Sequence, residues 1–145
     1  MIALIQRVSQ ASVVVCGEQI AQIDTGLLVL LGVEKTDDAV KADKLIHRLL
    51  GYRIFEDPQG KMNLSVQDIK GEVLLVPQFT LVADTKSGMR PGFSQAAPPE
   101  EGESWFNYVA KKCESVLGKI QLGQFGADMQ VGLINNGPAT FWLQV

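Results

Sequence analysis

The 145 residues carry a formal net charge of −3, with 46% hydrophobic and 20% charged residues. That length suits one domain on one core, and the composition is that of an ordinary soluble globular chain. No apolar run approaches the roughly 20 residues that span a bilayer; the mild acidity counts against a protein gripping long stretches of nucleic-acid backbone, but leaves room for one that handles a single RNA end.

The first segment, residues 2–8, alternates like a strand and lacks the charge, apolar stretch and cleavage site of a signal peptide, so a cytoplasmic location is expected. Residues 12–15 and 19–23 read as a hairpin turning at Cys16-Gly17-Glu18. Asp24-Thr25-Gly26 turns into a buried strand over 27–33, whose unbroken Leu-Leu-Val-Leu-Leu core is too short to span a membrane. A helix follows. Asp37 and Asp38 suit the positive end of its dipole, Ala42, Leu45, Ile46, Leu49 and Leu50 recur at helical spacing, and Gly51 is placed just past its end. Short extended pieces around residues 53–55 and 62–64 flank a turn at Asp57-Pro58-Gln59-Gly60-Lys61.

Residues 72–81 read as another strand, with Pro77 at an edge, a bulge or a strand end because proline donates no ladder hydrogen bond. Residues 83–100 hold no regular element, and a loop of that length in a compact domain is often functional. A second helix is expected over about 101–117, with Trp105, Phe106, Val109, Cys113, Val116 and Leu117 as its apolar stripe and Gly118 ending it. Extended segments near 119–125, 128–135 and 139–145 close the chain. The sum is a single α+β domain over residues 1–145: a mostly antiparallel sheet with a barrel-like core and two main helices.

Cys16 and Cys113 fall in separate elements without a partner, which argues against a disulfide framework or a zinc site; Cys113 reads as a buried thiol. The only histidine, His47, lies mid-helix on a polar or boundary face and reads as a surface residue. No nucleophile–histidine–acid arrangement, metal-ligand spacing or phosphate-binding glycine loop is evident. A hydrolase built on this chain would have no obvious side-chain base.

Three segments carry the candidate chemistry. In Pro77-Gln78-Phe79-Thr80-Leu81, strand alternation puts Gln78 and Thr80 on one face, and a strand breaking its pairing there would free main-chain N–H groups for a substrate. A plain strand end, with Thr80 present for β propensity, accounts for the same residues. In Asn135-Asn136-Gly137-Pro138-Ala139-Thr140, Asn-Gly is a strong hairpin signal, yet Pro138 cannot join a ladder and an X–Pro bond can be cis. The loop Lys86-Ser87-Gly88-Met89-Arg90-Pro91-Gly92-Phe93 interleaves basic and apolar side chains, which suits a nucleotide and equally suits an ordinary solvated loop.

At these residues the chain resembles the D-aminoacyl-tRNA deacylases. Pro77-Gln78-Phe79-Thr80-Leu81 is similar to their Ser-Gln-Phe-Thr-Leu motif, and Asn136-Gly137-Pro138-Ala139-Thr140 resembles, in looser form, their Asn-x-Gly-Pro-Val-Thr motif. The opening Met-Ile-Ala-Leu-Ile-Gln-Arg-Val, the Gly-Tyr-Arg-Ile-Phe, the Gly-Met-Arg-Pro and the closing Thr-Phe-Trp-Leu-Gln-Val extend the resemblance from end to end. It departs at Pro77, where the family has serine, and at Ala139, where it has valine; these bear on rate and pocket shape more than on reaction type.

The resemblance implies an enzyme that hydrolyses the ester of D-aminoacyl-tRNA, and of glycyl-tRNA, which has no side chain to exclude. It implies Gln78, Phe79 and Thr80 at the catalytic site, and a homodimer in which the cis Gly137–Pro138 pair of one subunit excludes L-amino acids from the other's site. Arg7 would brace that pair, and Gly88, Met89 and Arg90 would lie near the terminal adenosine. Main-chain N–H groups near Phe79 and Thr80 would stabilise the oxyanion, and the ribose 2′-OH beside the ester would orient water. A covalent Thr80 nucleophile is the rival mechanism, poorly activated without a base. No cofactor, metal or membrane is implied; the partner is the aminoacylated 3′ end of tRNA. The alternatives are a non-catalytic tRNA-end binding module of the same fold and a general esterase for small D-amino acid esters.

Overall fold

The computed structural model describes residues 1–145. Its spine is β1 (Ile2–Val15). Along one edge, β1 pairs antiparallel with β3 (Gly26–Gly32) through its first half and with β2 (Glu18–Ile23) through its second. Its other edge is taken along nearly its whole length by antiparallel β8 (Gln130–Gln144). β3 continues the sheet in parallel to β6 (Glu72–Pro77), and β6 in parallel to the short β7 (Gln121–Leu122). β2 returns against β6 and β7, which curls the sheet into a nearly closed barrel.

The expected α+β class, barrel-like core and two helices are present. The sheet is mixed, antiparallel around β1 and parallel across β3, β6 and β7. The parallel part follows from the chain between its strands. α1 (Ala39–Gly51) and the small hairpin of β4 (Phe55–Glu56) and β5 (Met62–Leu64) supply the crossover from β3 to β6, the kind of connection parallel strands require.

β3 and β6 read as continuous apolar runs because both of their faces are buried. Leu27, Val29 and Leu31 of β3, with Val73 and Leu75 of β6, pack under α1 and α2 (Pro99–Leu117). Leu28 of β3, with Leu74 and Val76 of β6, points into the barrel beside Val8, Ala11 and Val13. In β1 the buried parity changes between Val8 and Ala11, where its register against β8 shifts. A bulge slips the pleat by one residue and exchanges the two faces.

Local chemistry sets the element ends. Cys16 and Gly17 both take positive φ, 50° and 76°, in the two-residue turn between β1 and β2, as a primed hairpin turn demands. Asp38 caps α1, its carboxylate accepting from Lys41 N at 2.9 Å, a cap worth about 1 kcal/mol. Gly118 ends α2 with φ 83°. Gly51, expected past the end of α1, is instead its last helical residue, and the chain leaves through extended Tyr52. Val116, expected in the apolar stripe of α2, is 54% exposed, whereas Phe106, Val109 and Cys113 are buried. His47 is exposed, as expected.

Two expected elements differ in ways that bear on the site. The strand expected over 72–81 stops at Pro77 and turns into a 3-10 turn, Phe79–Val82. Gln78 N takes the carbonyl of Leu31, and β3 itself ends at Gly32, so no partner strand remains. The two strands expected on either side of an Asn-Gly turn are one strand, β8, and the supposed turn is a bulge within it.

Candidate active site

Beyond the end of β6 lies an apolar cavity of about 650 Å³. Pro77, Gln78 and Phe79 form one wall. The first turn of α2 contributes Pro99 and Gly102, the loop between β7 and β8 contributes Phe125, and Met129 leads into β8. Phe93 completes the rim, its ring 5.2 Å from that of Phe79. Ala96 and Ala97 are held by the turn after β3: Lys35 N donates to Gln95 O, and Ala97 N to Val33 O, both at 3.0 Å. That turn is pinned in its own right by the Met1 ammonium, which bonds the carboxylates of Glu34 and Asp37.

The turn at the cavity wall presents main chain as well as side chains. Leu81 N and Ala83 N return to the carbonyls of Gln78 and Thr80. The N–H groups of Phe79 and Thr80, at the start of the turn, have no acceptor within it. Strand alternation no longer sets the faces of Gln78 and Thr80, but the two still meet: the Gln78 amide donates to Thr80 Oγ1. Phe79 is 62% exposed, and Thr80 is exposed outside the cavity lining.

The loop of residues 83–92 doubles back on itself. Asp84 and Gly92 exchange two backbone hydrogen bonds, 2.7 and 3.0 Å, and Gly88 sits between them with φ 73°. Met89 is fully exposed, and neither Gly88, Met89 nor Arg90 lines the cavity. Only Phe93, at the base of that loop, does.

Gly137 and Pro138 lie elsewhere. In the ladder of β1 with β8, Gln6 is opposite Thr140 and Val8 is opposite Asn135, so residues 136–139 bulge out against the single residue Arg7. The Gly137–Pro138 peptide is cis. Arg7 is buried beneath it, donating from Nε to Asn136 O at 2.7 Å and from Nη1 to Ile54 O at 2.6 Å. Gly137 has no room for a side chain. A Cβ there would stand 2.8 Å from Ala139 N and 2.9 Å from Arg7 Nη2, and its φ is 151°. Along β1, Ala3 is level with Leu31 beside the cavity and Arg7 with Leu27. Four residues of strand put the bulge roughly 14 Å further along the sheet. One chain does not bring Gln78 and Pro138 together.

The ionisable groups with displaced pKa values stand away from the cavity lining. Burial pushes the Cys113 thiol up to about 12, consistent with the inert buried thiol expected. The Asp43 carboxylate, accepting from Tyr108 OH, raises the phenol, and hydrogen bonds from Ser65 lower Asp68. The cavity walls are apolar, and none of the residues that line them is ionisable.

Sequence reasoning found the wall at Pro77, Gln78 and Phe79, and Phe93 at the end of its candidate loop, but missed Gly102, Phe125 and Met129. These come from separated segments with no shared motif; the one available signal was a glycine inside the apolar-periodic stretch of α2.

The D-Tyr-tRNA(Tyr) deacylase family profile matches residues 4–144. Proteins named D-aminoacyl-tRNA deacylase are 58% identical in Pasteurella multocida (strain Pm70) and 59% identical in Escherichia coli (strain K12 / DH10B), each over all of both chains. A solved structure titled c-Myc DNA Unwinding Element Binding Protein is similar with a TM-score of 0.96 at 39% identity, over 100% of this chain and 99% of that one. A second, titled as a probable eukaryotic D-amino acid tRNA deacylase, shares the fold with a TM-score of 0.83 at 16% identity, over 98% of each chain. By profile and by full-length identity, the chain belongs to the D-Tyr-tRNA(Tyr) deacylase family.

Proposed function

We propose that this chain hydrolyses the ester of D-aminoacyl-tRNA, releasing a free D-amino acid and tRNA, at a site made by two copies. The observation that carries this reading is the apolar cavity beside Gln78 and Phe79, set apart from the Gly137–Pro138 bulge of the same chain. Family membership supplies the substrate class; the separation is the reason for a second copy.

In this reading the terminal adenosine and the aminoacyl group enter the cavity of one subunit, with Phe79 and Phe93 offering aromatic faces to the base. Gly88, Met89 and Arg90 approach the same end of the tRNA from the loop above. The N–H groups of Phe79 and Thr80 stabilise the developing oxyanion. An aminoacyl ester is already an activated acyl group, and the ribose 2′-OH, both donor and acceptor, orients the attacking water. Thr80, its oxygen already engaged by Gln78, is a supporting group rather than a nucleophile.

The bulge of the second subunit closes the cavity. Its main chain is rigid, its Gly137 carries no side chain, and an L side chain pressed against it meets steric exclusion and unpaired polar atoms. Glycine has nothing to exclude and is a further substrate. The dimer has two-fold symmetry, the commonest closed arrangement. β8 supports an assembly as well: it pairs with β1 alone and leaves its other edge free, with Ile134 and Trp142 half exposed, and free edges invite pairing. No helix is long and apolar enough to cross a membrane, and a tRNA substrate suits the cytoplasm.

Single-turnover deacylation of matched D and L esters of tyrosine, aspartate and alanine, with glycine alongside, tests the reading. Cleavage of the D series and of glycine, with the L series spared, is expected. Comparable rates for D- and L-alanine contradict the exclusion, and absence of any turnover with tight binding favours a non-catalytic tRNA-end module.

A further inference from the structure

The bulge between Asn135 and Thr140 is closed at its neck by the Asn135 side chain, which lines no part of the cavity. Asn135 Oδ1 accepts the N–H of Ala139 at 2.7 Å, and Asn135 Nδ2 donates to Thr140 Oγ1 at 2.8 Å. Gln6, across the ladder from Thr140, reaches the same hydroxyl at 3.4 Å. One amide therefore bridges both ends of a four-residue excursion, while Arg7 holds its beginning through Asn136 O. Ala139 is buried at 3% exposure, so its N–H has little access to water in place of Asn135.

We infer that Asn135 is a positioning residue that sets the orientation of Gly137–Pro138 and, through it, the discrimination between D and L substrates. This rests on the reading that the pair excludes the L side chain. The physical reason is the division of restraints. Arg7 grips the bulge only on the Asn136 side. After Pro138, which has no N–H to anchor, the first main-chain donor is Ala139, and Asn135 takes it. Without that bond the far limb of the bulge has no side-chain hydrogen bond before Thr140, and Pro138 swings on it. A steric wall discriminates only as sharply as it is fixed, so looseness at Pro138 admits the L side chain before it harms the chemistry at the cavity. Asn135 touches neither substrate nor reacting atoms and is not a catalytic residue.

The pairwise chemistry dictates the variants. Asn135→Ala removes both bonds. Asn135→Asp keeps an acceptor for Ala139 N–H, and the Thr140 hydroxyl can turn to donate to the carboxylate. Thr140→Val removes one bond and leaves the other. The measurement is the ratio of D to L deacylation rates on paired alanyl- and tyrosyl-tRNA, with thermal unfolding and dimer mass recorded for each protein. Asn135→Ala is expected to lower the ratio at least tenfold, Thr140→Val by a smaller factor, and Asn135→Asp to restore most of it. D and L rates falling in parallel with an unchanged ratio overturn the inference. So does an unchanged ratio in Thr140→Val together with a ratio at least tenfold below wild type in Asn135→Asp, a pair that remains decisive if Asn135→Ala does not fold. A wild type with no D preference overturns the exclusion reading beneath it, and is distinguished because it appears before any substitution.

Discussion

The two ends of β3 lie beside two pieces of surface built in opposite ways. At the C-terminal end, separated segments lend apolar side chains to a 650 Å³ cavity, and the polar groups on its rim are largely main chain. At the N-terminal end, opposite Arg7, a few consecutive residues make the whole feature, and hydrogen bonds from Arg7 and Asn135 fix it. The first arrangement has room for a ligand and walls that side-chain changes can reshape. The second has no room even for a Cβ at Gly137. A site that must accept many amino acids yet reject one handedness needs both properties, and this chain keeps them on separate surfaces.

The contrast breaks most visibly at Gly102. A leucine there projects from the first turn of α2 into the cavity, and even a Cβ would meet the Phe125 ring at 3.4 Å. Gly102→Leu is expected to lower deacylation by more than about 100-fold, on the scale of several kcal/mol for a ligand group sterically displaced. Replacing glycine within a helix favours the helix by up to about 1 kcal/mol, so a loss of activity without a fall in melting temperature separates a blocked cavity from a damaged fold. Undiminished turnover removes the cavity from the account.

A smaller effect is expected at Thr80. If main chain and the substrate's own hydroxyl carry the reaction, Thr80→Ala retains activity within about tenfold of wild type, about 1.4 kcal/mol, while a substrate ending in 2′-deoxyadenosine is far slower than that. A Thr80→Ala loss approaching the whole catalytic effect, in a folded dimer that still binds substrate, restores the covalent mechanism.

The smallest effect compares the two cysteines. Cys16 is exposed on the β1–β2 turn and Cys113 is fully buried, its thiol pushed up to about 12. Since the thiolate is the reactive species, iodoacetamide at neutral pH should label Cys16 quickly and Cys113 only on unfolding, with activity unchanged by the first label. Equal labelling of both in the folded protein contradicts the packing of α2.

These differences also explain what the sequence disclosed. The β1–β2 hairpin was legible because Cys16-Gly17 is a local turn, and α1 because its apolar spacing and Asp38 cap are local. The 3-10 turn at Phe79 was not, since β6 ends where its neighbour β3 runs out, a fact about another segment. The residues of the β8 bulge left a turn and a cis X–Pro departure both open for a related reason: Asn-Gly-Pro announces a departure from extended chain, and only the ladder with Gln6 and Val8 decides that the strand resumes in line. Arg7 and the Gly137–Pro138 pair came from resemblance, whereas Asn135, named within its candidate segment, gained a bracing role only from its two hydrogen bonds.

The central claim is that the bulge of one copy completes the cavity of another, and mixed dimers test it directly. Gly102→Leu disables the cavity and spares the bulge. Gly137→Ala disables the bulge, because its Cβ would collide with Ala139 N and Arg7 Nη2, and spares the cavity. Each parent alone should be nearly inactive toward D-aminoacyl-tRNA or, for Gly137→Ala, lose its preference for the D ester. Unfolded and refolded together in equal amounts, half of the dimers should be hybrids, each with one site free of both substitutions. The mixture should then recover about a quarter of wild-type D-specific activity, as two-fold pairing requires. A mixture no better than the sum of its parents would show that cavity and bulge do not meet across a dimer, and the account would fail.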